Sequence, residues 1–173
     1  MPTEFAVASI ETPLGLLQLA ATRTGLLRIG LPRQVGAGFA GAVKRGLGDG
    51  MQLDWLPVLD KAKNELDEYF RSQRRAFTID LDLRGSDFQL RVWRALLEIP
   101  YGQTISYADL SRAIGRDGAF RAVGSANGAN PVAIIVPCHR VIAADGTLGG
   151  YSGGLDLKRR LLALEKSLVS DLI

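Results

Sequence analysis

The stretch NPVAIIVPCHRVI, residues 130–142, runs apolar until it meets Pro137-Cys138-His139-Arg140. Cys138 and His139 are the only cysteine and the only histidine in 173 residues. VAIIV is short, β-branched and free of charge, so it reads as a fully buried strand with the Cys-His dipeptide at its mouth. A solitary cysteine in such a place is commonly an inert small hydrophobe. Here, however, Pro137 ends the run, and His139 and Arg140 put two cations beside the sulfur. Positive neighbours favour thiolate, the nucleophilic form. Adjacent side chains on an extended chain point in opposite directions, so the imidazole is expected to work on the sulfur through a water.

An imidazole base needs a third group to hold its tautomer. The segment LDLKRRLLALEKSL, residues 155–168, supplies one. Leu157, Leu161, Leu164 and Leu168 make a helical stripe, and Glu165 falls on the same side. The same spacing also allows Glu165 to pair with Lys158. Between nucleophile and helix lies ADGTLGGYSGG, residues 144–154, which lacks the Gly-Lys-Ser/Thr of a phosphate loop. It reads either as a pliant pocket wall for a flat substrate or as a plain surface loop.

Upstream, Phe88, Val92, Trp93, Leu96 and Leu97 predict a helix over 88–98, which Pro100 and Gly102 terminate. Ser106 then reads as an N-cap with Asp109 three residues on, and Tyr107, Leu110 and Ile114 share a face before Gly115. A short link leads to a second helix, Ala119 to Asn127, and the pair has the outline of a helix-turn-helix. That second helix offers Ala119, Ala122, Gly124, Ser125 and Ala126 to the outside, with Phe120 and Val123 for the core and Arg121 as its one long charged group. A face this smooth lets backbone approach nucleic acid closely without reading base edges in detail. Tight packing on a neighbouring helix would require the same residues.

The N-terminal half begins with a meander, Phe5–Ile10, Leu16–Ala21 and Leu26–Leu31. RQVGAGFAGAVKRGLGDG, residues 33–50, lacks a clear period and reads as a loop. A helix over 56–73, carrying Leu59, Ala62, Leu66, Tyr69 and Phe70 inward, and a half-buried strand AFTIDLDL over 76–83 complete it. The expected class is α+β. A small N-terminal α/β domain (1–83, antiparallel sheet plus helix) precedes a mostly helical C-terminal domain (84–173) with a helix-turn-helix.

Composition narrows the function. The chain is 47% hydrophobic and 23% charged, has no apolar run long enough to span a bilayer, and opens MPTEFAVASIET, unlike a signal peptide. A cytoplasmic location and no membrane partner are expected. One cysteine excludes an internal disulfide, and no Cys/His cluster exists for a metal. The net charge of +3 is uneven: 10 Lys/Arg face 10 Asp/Glu in residues 1–83, and 11 face 8 beyond. The excess favours an anionic partner for the second half.

Taken together, Pro137-Cys138-His139-Arg140-Val141, the upstream RAVGSANGANP, ISY at 105–107, GGYSGG at 149–154 and Glu165 in LLALE resemble the O6-alkylguanine-DNA alkyltransferases, the methylated-DNA-protein-cysteine methyltransferases. The resemblance spans about residues 86–168, and residues 1–83 resemble that family's ribonuclease-H-like domain more loosely. It implies a single-turnover repair enzyme that binds duplex DNA carrying O6-alkylguanine in the minor groove, flips the base and moves the alkyl group irreversibly to Cys138. O4-alkylthymine is left open as a second substrate. The resemblance further implies His139 as base through water, Glu165 as its orienter, and Asn130 as a hinge that also orders the thiolate. Tyr107 would donate toward N3 of the flipped guanine. Arg121 would fill the gap in the duplex, with Ala119, Ala122, Gly124 and Ser125 against the DNA. Val141, Ser152 and Tyr151 would frame the base. No cofactor and no metal are implied, and a monomer is expected, with cooperative assembly on DNA left open. Two other classes stay in play: a lesion-sensing DNA-binding protein that flips alkylguanine without reacting, and a cysteine hydrolase built on Cys138 and His139.

Overall fold

The structure, a computed structural model, describes residues 1–166. The chain divides into two compact units, Met1–Arg84 and the residues from Gly85 onward.

The first unit opens with the expected antiparallel meander of β1 (Glu4–Thr12), β2 (Gly15–Thr22) and β3 (Leu26–Gly30). Residues 33–50 are not the loop that the glycines suggested. They take up the end of a short 3₁₀ turn (Pro32–Gln34) and the helix α1 (Ala37–Leu47), and lead into a two-residue strand β4 (Met51–Gln52), which pairs parallel to β1 and sets the order β3-β2-β1-β4. Three glycines inside α1 lower its intrinsic helicity and hide its period. Two anchors one turn apart, Phe39 and Val43, nevertheless seat it on Ala20 and Leu27, with Phe5 and Leu47 at the margin. Tertiary burial overrides propensity here.

Helix α2 (Pro57–Phe70) packs against β1 and β2 through the expected Leu59, Ala62, Leu66 and Tyr69. The strand expected over 76–83 is reduced to one bridge, Leu26 to Leu81, held by Leu26 N–H on the Asp80 carbonyl (2.8 Å) and Asp82 N–H on the Leu26 carbonyl (2.9 Å). The segment is diverted by buried Glu65 of α2, which accepts from the Thr78 amide (2.9 Å) and from its hydroxyl.

The second unit is mostly helical. Helix α3 (Asp87–Leu97) starts at a capping box between Ser86 and Gln89, and buries Val92, Trp93 and Leu96. A two-residue strand β5 (Ile105–Ser106) leads straight into α4 (Tyr107–Ala113), whose N-terminus is closed by Ser106 and Asp109 (3.0 Å in each direction), as the sequence predicts. After Gly115, at φ +71°, the turn delivers α5 (Phe120–Gly128), completing the helix-turn-helix. Trp93 fixes α5 by donating its indole N–H to the Ala126 carbonyl (2.8 Å, buried). The strand β6 (Val141–Ile142) pairs parallel with β5, and α6 (Leu155–Lys166) ends the described residues. Two positions expected inward are out: Phe120 is 50% exposed and Leu97 42% exposed. Leu168, read as part of the α6 stripe, lies outside the described residues.

Because α1 hangs on few anchors, Phe39→Ala should lower stability by about 3–5 kcal/mol, seen as a fall in the urea midpoint. Gly38 and Gly46 have open space around an added Cβ. Gly38→Ala and Gly46→Ala should therefore each raise stability by about 0.5–1 kcal/mol, seen as a higher urea midpoint, an outcome that a loop at 37–47 would not give.

Candidate active site

The run before Cys138 is buried but is not a strand. Residues 132–141 are all nearly inaccessible, yet Ile134 sits at φ +76°, Val136 N–H turns back to the Val132 carbonyl (2.9 Å), and the pairing is a single Ala133–Val136 bridge. A left-handed conformation at a β-branched residue is a strained outlier. Asn130 holds it from both ends, accepting from Val132 N–H (3.0 Å) and donating to the Val136 carbonyl (2.7 Å). Pro137 (φ −83°, ψ 62°) then makes an inverse γ-turn with Cys138 N–H on the Val136 carbonyl (2.8 Å), and Cys138–Arg140 form one turn of 3₁₀ helix. The chain curls, so the side chains of Cys138, His139 and Arg140 fan out in three directions.

Cys138 turns toward a pocket of about 200 Å³ lined by Tyr107, Gly124, Asn127, Gly128, Gly150, Tyr151 and Ser152. That is below the roughly 300–1,000 Å³ of sites for larger ligands and suits one flat ring. Glycine is obligatory in part of this wall. Gly149 has φ +68°, and a Cβ there would stand 3.1 Å from the Tyr107 ring and hydroxyl. The β5–β6 pairing, Ile105 to Val141 and Ser106 to Ile142, ties the start of α4 to the end of the cysteine turn and so places Tyr107 beside the pocket. Val141 does not line it, and its carbonyl already accepts from Lys158 Nζ (2.6 Å). Arg121, Ala122 and Ser125 lie exposed on α5, with Ala119 at its N-cap. A larger cleft of about 640 Å³, lined by Phe5, Val7, Phe39 and Lys44 among others, belongs to the first unit and has no cysteine or histidine in its lining.

His139 is completely buried and Glu165 is 1% exposed. His139 Nε2 lies 2.8 Å from Glu165 Oε1. A carboxylate accepts, so Nε2 carries the proton and Nδ1 is the basic nitrogen; Nδ1 is buried without a partner among the described residues. The pairing of Glu165 with Lys158 does not occur among the described contacts. Arg140 takes that place with a bidentate grip, Nη2 to Oε1 (2.8 Å) and Nε to Oε2 (3.0 Å), while its Nη1 donates to the Ile99 carbonyl (2.7 Å) and its guanidinium carbon lies over the Tyr101 ring, 5.7 Å from the ring centre. Lys158, also buried, donates to the carbonyls of Val141, Leu148 and Gly150, tying the glycine-rich wall to α6. The roles of Arg140 and Lys158 were missed in the sequence, although Lys158 sits between Leu157 and Leu161 on the inward face, which is a signal for a buried, satisfied cation.

These surroundings set the protonation states. Burial pushes the Cys138 thiol up; Asn130, Lys158 and the Tyr151 hydroxyl pull it part of the way back. Burial likewise lowers His139, against the opposing pull of Glu165. The resting pair is therefore neutral thiol and neutral imidazole, which corrects the expectation of a thiolate held by a cationic neighbour. Burial would raise Glu165, but hydrogen bonds from His139 and Arg140 overcome it and hold the carboxyl at about 2.

The comparisons with known proteins cover both units. Residues 6–83 match the family described as 6-O-methylguanine DNA methyltransferase, ribonuclease-like domain, and residues 87–167 match 6-O-methylguanine DNA methyltransferase, DNA binding domain. The methylated-DNA–protein-cysteine methyltransferase of Mycobacterium tuberculosis H37Rv is 46% identical over 92% of this chain and 91% of its own. The crystal structure of Mycobacterium tuberculosis OGT in complex with DNA is similar at TM-score 0.80 and 44% identity, covering 95% of this chain and 93% of that one. The O6-methylguanine-DNA methyltransferase of Pyrococcus kodakaraensis is similar at TM-score 0.71 and 26% identity, covering 93% and 98%.

The buried carboxylate makes stability depend on pH. His139 is lowered from its ordinary 6.5, so the unfolded chain binds more protons below that pH and stability falls as pH drops through it. Glu165, depressed from 4.5 to about 2, contributes roughly 3 kcal/mol above pH 4.5, and this is lost as pH falls toward 2. Urea midpoints measured from pH 7 to 3 should decline in these two stages. Glu165→Gln should remove the lower stage and cost about 3–5 kcal/mol at pH 7, because Arg140 is left buried without its counter-charge.

Proposed function

We propose, from the premise that this chain belongs to the 6-O-methylguanine DNA methyltransferase family, that Cys138 is the acceptor of the alkyl group and that the buried residues around it carry the transfer. The protein repairs DNA by taking the alkyl group from O6 of guanine onto a cysteine. The observation that carries the assignment is one geometry: the sulfur at a small pocket, followed in the chain by an imidazole whose Nε2 is fastened to Glu165 and whose Nδ1 is left basic.

The O6 atom of a stacked guanine cannot meet a buried sulfur, so the nucleotide is swung out at a cost of a few kcal/mol. Ala119, Ala122, Gly124 and Ser125 let α5 lie close in the minor groove, and Arg121 enters the gap left in the stack. The base enters between Tyr107 and Tyr151, with Ser152 at its edge. A water between Cys138 Sγ and His139 Nδ1 passes the thiol proton to the imidazole, and Glu165 stabilises the imidazolium that forms. Asn130, Tyr151 and Lys158 favour the emerging thiolate. The sulfur then attacks the alkyl carbon: the S–C bond forms, the C–O6 bond breaks, and the electron pair stays on the purine. The Tyr107 hydroxyl donates toward N3 as that charge develops, and the proton held on the imidazolium passes through water to the purine, which leaves as neutral guanine.

The product is a thioether, which no group around it can hydrolyse. Residues 84–173 hold every residue in this scheme and are assigned DNA binding and chemistry; residues 1–83 hold none of them. Among the described residues no helix is long and apolar enough to cross a membrane, and we assign the protein to the cytoplasm, where a reactive thiol stays reduced.

Incubation with duplex DNA carrying O6-methylguanine should add one methyl to the Cys138 peptide and stop after one equivalent. Repeated turnover of any substrate would instead support a hydrolase, and tight lesion binding with no mass gain would support a sensor. Cys138→Ser should bind the lesion without transfer, and His139→Ala should slow transfer by about 10²–10⁴-fold, the usual worth of a general base.

A further inference from the structure

Phe120 is the first residue of α5, and half of its surface meets solvent. It is the most exposed large apolar side chain described in the second unit. Half of this ring stands outside the core. It lies four, seven and eight residues before Gly124, Asn127 and Gly128, so all four share one face of the helix. The last three line the Cys138 pocket. Phe120 thus extends the pocket face outward by one turn, about 5 Å along the helix.

The charge around it chooses the partner. Arg121 follows directly, and Arg116 lies exposed in the preceding turn; neither has an ion pair among the described residues, and Arg112 is paired with Asp109. Asp117 is the one acid from 112 to 121. An apolar ring set in a basic rim fits nucleic acid, whose bases offer flat faces inside a phosphate shell. A protein partner with an apolar pocket would have to accept the same positive rim.

We propose that Phe120 is a wedge: it stacks on the base that loses its neighbour when the alkylated nucleotide is swung into the Cys138 pocket. This rests on the base-flipping reading above and goes beyond it, because it assigns two side chains to the opened duplex. Arg121 supplies charge and hydrogen bonds within the gap, and Phe120 covers the bared ring face. The wedge positions DNA and touches no reacting atom.

The test compares Phe120→Ala and Phe120→Trp with the unaltered protein. Cys138 methylation is timed on an O6-methylguanine duplex and on free O6-methylguanosine. In a Cys138→Ser background, 2-aminopurine next to the lesion reports stacking. Phe120→Ala should slow the duplex reaction about tenfold, the order of one lost base–aromatic stack, leave the nucleoside reaction at its original rate, and relieve 2-aminopurine quenching. Phe120→Trp should restore both rate and quenching. An unchanged duplex rate in Phe120→Ala, an equal loss on duplex and nucleoside, or no recovery with tryptophan would overturn the wedge. If the unaltered protein methylates Cys138 from neither substrate, the transfer assignment itself fails.

Discussion

One carboxylate, Glu165, is shared inside the second unit by His139 and Arg140, and the site is built around that sharing. Taking a carboxylate and a guanidinium out of water costs several kcal/mol per ion. The cost is met by a two-pronged Arg140 contact and by the His139 ring. Glu165 belongs to α6, His139 and Arg140 to the cysteine turn, and Arg140 also holds the Ile99 carbonyl beyond α3. Three stretches distant in sequence are therefore aligned by one charged group. The proton on Nε2, and with it the basicity of Nδ1, follows from the same contact.

What could be read from residues alone was whatever local pattern decides. Ser106 with Asp109, the apolar faces of α2 and α3, the meander and the Cys138-His139 pair at a buried site are all local signals. The misreadings fall where tertiary context reverses a local pattern. VAIIV has the composition of a strand, but Asn130 ties its two ends together and forces Ile134 into a left-handed conformation that no β-branched residue advertises. Helix α1 was hidden because its glycines dilute a stripe that rests on Phe39 and Val43. Arg140 was read as a cation for the sulfur, since adjacency suggested it, whereas the 3₁₀ turn carries it away to Glu165. The ionic state of Cys138 was misjudged for the same reason: burial, which residue spacing does not reveal, outweighs neighbouring charge.

The pocket owes its shape to missing side chains. Gly124 and Gly128 from α5 and Gly150 from the wall leave room for a planar ring, and Gly149 must lack a Cβ for Tyr107 to keep its place. Lys158 then fixes this pliant wall by collecting the carbonyls of Leu148 and Gly150 within it and of Val141 ahead of it. Its ammonium and the Glu165 carboxylate stand two turns apart on α6, so the helix that holds the His139 ring also anchors the pocket wall. A smooth α5 agrees with a lesion that arises in any sequence context, where detailed reading of bases would restrict the range of sites repaired.

A protein consumed by its own reaction is a reagent that has to keep in storage. Cys138 waits as a neutral thiol, deep and hard to ionise, so stray electrophiles and oxidants of the cell find little to attack. On the proposed mechanism, reactivity waits for a base that fits the pocket and brings the leaving group to the sulfur. Selectivity and shelf life thus come from the same burial that at first sight makes Cys138 a poor nucleophile.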